Sequence, residues 1–177
     1  MGKIVWRLRD SFKFSDLMGI HACNGLVAIA LVIHRDDGRS TRFFVYNLTT
    51  GQHSRIPPAY SSNWTGPVQE YKNFAALNIA YDPLQYDHYR LVYVWVDDSD
   101  DLEELYDSET GYWRDAKCGL DCGYDDVYWK GILWNGDLFW VCRRWNIVCV
   151  DIETARQKCS VCPFPCPDNI LSPTQKK

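Results

Sequence analysis

Three copies of one short pattern constrain this chain more than any other feature. Each runs from an apolar residue or Tyr to Asn or Asp, then two variable residues, Thr, and Gly or Ala. The copies are Tyr46-Asn47-Leu48-Thr49-Thr50-Gly51, Tyr106-Asp107-Ser108-Glu109-Thr110-Gly111 and Val150-Asp151-Ile152-Glu153-Thr154-Ala155. An Asn or Asp side chain accepts hydrogen bonds from backbone N–H groups two residues on and so opens a turn. A Gly then supplies the left-handed residue from which a second strand leaves in register. Ala155 stands where the other copies have Gly, so the third turn is expected to be strained or differently shaped.

Each copy is followed by a strand-like tail (Gln52 to Ile56, Tyr112 to Ala116, Arg156 to Val161) and preceded by short apolar runs. These are Leu26 to Ile33 with Phe43 to Tyr46, Leu77 to Tyr81 with Tyr89 to Val96, and Gly131 to Trp134 with Leu138 to Cys142. The last two runs flank Asn135-Gly136, a strong tight-hairpin signal. No stretch keeps a helical period beyond about two turns. The best candidate, Asp97 to Tyr106, reads as an acidic loop entering a strand. The copies start 60 and 44 residues apart. Units of three or four strands at such a period point to an all-β chain forming a partial β-propeller of about three to four blades, with an irregular β-sandwich as the competing architecture. Propellers have at least four blades. The expectation is therefore a piece of a longer protein, or an open arc that another element closes and that alone is poorly soluble or oligomeric.

Composition narrows the function classes. Apolar residues make up 46% of the 177 and aromatics 15%, which favours a packed chain over disorder. A net charge of −4 gives no clustered basic surface for nucleic acid. The longest apolar run, Leu26 to Ile33, is 8 residues, against the roughly 20 of a spanning helix, so no membrane partner is expected. No secretory signal opens the chain. The eight cysteines are therefore expected as free thiols in the cytoplasm or nucleus, and the sequons at Asn47 and Asn63 as silent.

Five motifs in order resemble the plant F-box-associated, kelch-like domain. They are Cys23-Asn24-Gly25-Leu26; Val45 to Gly51 with Ile56-Pro57-Pro58; Ala80-Tyr81-Asp82-Pro83 with His88-Tyr89-Arg90-Leu91-Val92; Leu105 to Arg114; and Trp134-Asn135-Gly136-Asp137-Leu138-Phe139-Trp140. A Pro-rich exit strand follows at Pro163-Phe164-Pro165. Phe139 stands where the family commonly has His, and Arg90-Leu91 replaces its Lys-Val. The resemblance implies a lead-in over residues 1–20, a propeller-like domain over 21–167 and a polar tail over 168–177. It also implies a non-catalytic module that selects target proteins for ubiquitination, with the ligase adaptor engaged only through an F-box that these residues lack.

Cys159, Cys162 and Cys166, with Cys118 and Cys122 nearby in sequence, offer thiolates for zinc, but the gaps do not form two close pairs and Pro163 and Pro165 stiffen the segment. Free thiols are the expectation, with no metal and no cofactor. His21, His34, His53 and His88 lie in no nucleophile or zinc-protease motif, so no enzyme is expected. The acidic run Asp97 to Glu104 lacks the Gly and terminal Glu of a calcium loop. Trp95, Trp113, Trp134 and Trp140 are expected in the core between blades. Trp64, Tyr71, Arg143, Arg144 and Trp145 sit in loop segments and are the partner-contact candidates, because loops on a rigid scaffold carry recognition. The alternatives are a small metal- or carbohydrate-binding β protein, or a truncated remnant without function.

Overall fold

A computed structural model describes residues 15–35, 38–59, 74–96, 101–116, 130–141 and 147–161. It contains twelve strands: β1 (Ser15–Cys23), β2 (Leu26–Arg35), β3 (Gly38–Asn47), β4 (His53–Ile56), β5 (Phe74–Ala80), β6 (Arg90–Val96), β7 (Asp101–Asp107), β8 (Tyr112–Asp115), β9 (Ile132–Trp134), β10 (Asp137–Val141), β11 (Ile147–Asp151) and β12 (Arg156–Val161). They form three four-stranded sheets, β1 to β4, β5 to β8 and β9 to β12. Every pairing is antiparallel and joins strands adjacent in sequence. An antiparallel four-stranded meander is the blade of a propeller, and the described residues form three such blades of a partial β-propeller. β1 begins at Ser15, within the stretch read as a lead-in.

The repeated pattern forms the turn between the third and fourth strand of every blade. Asn47 Oδ1 accepts from the N–H groups of Thr49 (2.9 Å) and Thr50 (3.0 Å). Asp107 Oδ1 accepts from Glu109 at 2.9 Å. Asp151 Oδ1 accepts from Glu153 at 2.8 Å and Thr154 at 3.0 Å. The sixth residue then donates its N–H to the carbonyl of the second: Gly51 to Asn47, Gly111 to Asp107 and Ala155 to Asp151. All three sixth residues are left-handed, at φ of +72°, +78° and +54°.

Ala155 therefore has the expected strain, yet its methyl is buried in the core. Replacing it by Gly relieves about 1 kcal/mol of left-handed strain and loses about 0.8 kcal/mol of methyl burial. Ala155→Gly is expected to leave the unfolding free energy within about 1 kcal/mol of the parent, since Gly also adds unfolded-state entropy. At Gly111 a Cβ meets nothing within 4 Å, so only backbone strain opposes it. Gly111→Ala is expected to cost about 1 kcal/mol. Urea titration of the two variants measures both; a gain from Ala155→Gly as large as the loss from Gly111→Ala would show that burial does not compensate the strain at Ala155.

Period-two alternation explains the core. Along β2, Leu26, Ala28 and Ala30 face the second blade while Val27, Ile29 and Leu31 join Phe44 on the opposite face, which is why the run is apolar throughout. Between blades one and two, Phe43 packs on Tyr93 (4.9 Å, 67°) and Trp113 (5.3 Å), and Trp113 lies 5.3 Å from Tyr106. Tilted and edge-on pairs of this kind add about 0.5–1.5 kcal/mol each beyond area burial. Trp113 Nε1 donates to the Pro57 carbonyl at 2.8 Å, so the indole fills the seam and ties the blades together. Between blades two and three, small residues of the second blade (Ala76, Ala80, Val92, Val94) receive Leu138, Trp140, Val148 and Val150 of the third.

Candidate functional site

The five loop candidates, Trp64, Tyr71, Arg143, Arg144 and Trp145, lie outside the described residues. So do Cys118, Cys122, Cys162 and Cys166 of the thiol cluster. The backbone of Cys159 lies in β12, opposite Cys149 in β11. Cys23 is a free thiol.

The described surface carries an aromatic and aliphatic face that the sequence expectation missed. Asn135 and Gly136, at φ of +51° and +82°, make the predicted two-residue turn. That turn pairs Trp134 with Asp137, Leu133 with Leu138 and Ile132 with Phe139. Side chains of paired residues share a face, so Leu133, Leu138 and Trp140 turn to the core while Ile132, Trp134, Phe139 and Val141 turn away from it. Trp134, expected in the core, is 70% exposed and Ile132 67%. Trp134 and Phe139 lie 5.9 Å apart, ring centre to ring centre. Trp140 and Trp113 are buried as expected.

A polar group gathers at the turns of the second blade. His88, Asp107 and Glu109 bring one ligand atom each to within 4.8 Å of one another. Asp107 is already engaged: Oδ1 takes the Glu109 N–H, and Oδ2 takes Arg90 Nε at 3.1 Å. Burial alone would raise its pKa, but these bonds more than offset that and hold the carboxyl below its usual range. The Arg90 guanidinium, which also lies over the Tyr86 ring at 5.6 Å, is thus the resident cation of this group.

The third gathering lies where the first strands of the blades approach. His21, on β1, is held by both ring nitrogens. Nδ1 accepts the Ile79 N–H from β5 at 3.1 Å, and Nε2 lies 2.8 Å from the Gly131 carbonyl just before β9. The Gly131 N–H donates to Asn78 Oδ1 at 2.7 Å. Cys23 Sγ and Asn24 Nδ2 both donate to the Tyr81 carbonyl, at 3.4 and 2.7 Å. Asn78 Nδ2 and Trp140 Nε1 are buried beside this hub without a partner among the described residues. A Cβ on Gly131 would meet Trp140 Nε1 at 3.0 Å and both Asn78 Oδ1 and Leu138 Cδ1 at 3.1 Å, so Gly is required there by close approach.

No family model matches the chain, and no curated protein matches it. Among solved structures, it is similar to the β-propeller domain of the Trilobed protease from Pyrococcus furiosus, described as having an open velcro topology. The TM-score is 0.49 and the identity 16%, over 84% of this chain and 43% of that one. An acylaminoacyl peptidase from Pyrococcus horikoshii follows, with a TM-score of 0.47 and 12% identity over 86% of this chain and 26% of that one. An acylaminoacyl peptidase in complex with a chloromethyl ketone gives 0.46 and 11%, with the same coverage. The chain spans less than half the length of each.

Proposed function

We propose that the chain is a non-catalytic protein-interaction module that acts like the substrate-recognition part of an F-box adaptor of a cullin-type ubiquitin ligase, working in the cytoplasm or nucleus. The observation that supports it is the solvent-facing group Ile132, Trp134, Phe139 and Val141 on a rigid blade. Large aromatic and aliphatic side chains displayed on a fixed scaffold are the usual anchors of a protein interface. Arg143, Arg144 and Trp145, which come shortly after β10 in the sequence, remain partner-contact candidates in this reading.

Replacing Trp134 and Ile132 together by Lys removes the anchors while leaving the core alone. Exposed substitutions of this kind shift stability by about 0.5 kcal/mol or less each. Quantitative affinity capture should then retain at least one protein at about tenfold or more over the double variant, the equivalent of about 1.4 kcal/mol. Fusing an F-box segment to the chain should make that protein a substrate in a reconstituted cullin-type ligase. Equal retention by both forms defeats the binding face, and capture without ubiquitination defeats the adaptor role.

A further inference from the structure

We propose that His21 is a pH-operated clasp at the inner seam of the blades, closed when its ring is neutral and opened toward β5 when the ring is protonated. The geometry sets the tautomer. Nδ1 receives the Ile79 N–H and must be unprotonated, so Nε2 carries the hydrogen and donates it to the Gly131 carbonyl. One imidazole thus joins all three blades: β1 carries it, β5 donates to it, and the peptide that leads into β9 accepts from it. β5 is the edge strand of its sheet, and the Ile79 N–H directed at β1 finds its acceptor in this ring. Burial without a partner is costly for a backbone N–H.

Protonation places a hydrogen on Nδ1, so two donors then face each other across the seam. The tie to Gly131 survives and the tie to Ile79 does not. The groups around the ring oppose the charge. β2 offers Ala28, the cross-strand partner of His21, and β5 offers Asn78 and Ile79, none of them titratable. Cys23, two residues along β1, is kept as a thiol by burial; Asp82 acts on that thiol. Among the described residues the charge acting on the imidazole itself is that of Lys130, which repels a proton. Burial lowers the His21 pKa; the Gly131 bond works against it, and Lys130 adds a smaller lowering. A His with a lowered folded pKa contributes stability that is whole above the unfolded value of about 6.5 and is lost as pH falls from there through the folded value.

The chain has four histidines, so a bulk melting curve cannot isolate this one. The test is residue-resolved NMR on the whole chain between pH 7.5 and 5. The His21 ring should titrate below the ordinary imidazole value of about 6.5. Amide exchange protection at Ile79 should fall by up to about tenfold per pH unit as the ring protonates, while protection at Val92 in the middle of β6 holds over the same range. In His21→Gln the Ile79 protection should be flat with pH. A His21 ring that titrates at or above the ordinary value overturns the clasp, and so does Ile79 protection that follows Val92 throughout. Should the variant not fold, the parent titration still decides between these results.

Discussion

Trp140→Ala is expected to lower the unfolding free energy by about 3–5 kcal/mol, whereas Trp140→Phe should cost less than about 1.5 kcal/mol. Among the described residues Trp140 is the largest fully buried side chain, and it fills the space between the second and third blades in the cluster with Val92, Val94 and Leu105. Truncation to Ala leaves a cavity whose walls belong to two sheets and cannot both collapse into it. The Phe variant is different because the indole N–H is buried without a partner among the described residues. An unsatisfied buried donor costs about 1–3 kcal/mol, and Phe removes it while keeping most of the apolar ring. Equilibrium unfolding in urea at neutral pH measures both. A Phe variant as damaged as the Ala variant would mean that the N–H has an acceptor. For a domain stabilised by about 5–15 kcal/mol, the Ala variant should already be partly unfolded on warming.

Gly131→Ala should cost about 1–3 kcal/mol, and Gly131→Val more. The three atoms nearest the new Cβ belong to Trp140, Asn78 and Leu138, all fully buried. None is the free end of a flexible surface chain that could swing aside. Asn78 is further fixed because its Oδ1 receives the N–H of Gly131 itself. Relief by backbone movement would loosen both that bond and the bond from His21 to the Gly131 carbonyl. Gly111→Ala, where space is open, is the matched control in the same denaturation series. Equal losses at the two positions would mean that the hub around Gly131 yields more easily than its packing implies.

What was legible in the sequence was local. The pattern at Asn47, Asp107 and Asp151 holds its own turns through hydrogen bonds spanning two or three residues, so a short window carries the whole signal. The Asn135-Gly136 turn was read for the same reason, and it held a further message. A two-residue turn fixes parity, and parity sends Trp134 to the opposite face from Trp140. Counting outward from the turn would have placed Trp134 on the surface. The hub was not legible. His21 reaches Ile79 across 58 residues and Gly131 across 110, separations that no local sequence pattern spans. No local pattern marks a His whose partners are backbone groups on other sheets. The His88, Asp107 and Glu109 group escaped likewise, because His88 lies in the loop that leads into β6 while Asp107 ends β7 and Glu109 sits in the turn after it.

The pairing of every strand with its sequence neighbour also sets an order of events during synthesis. Hairpins of this kind close in about 1–10 μs, far faster than a ribosome adds residues at about 5–20 per second. The first blade therefore completes its ladders once Ile56 has emerged, before Leu77, Ile79 and Tyr93 exist to cover Phe43 and Val45. Each blade in turn waits, folded in its backbone but with an oily side bare, for the next one to be made. The chain is most vulnerable to sticking to its neighbours in those seconds, and slower translation between blades would lengthen the exposure rather than relieve it.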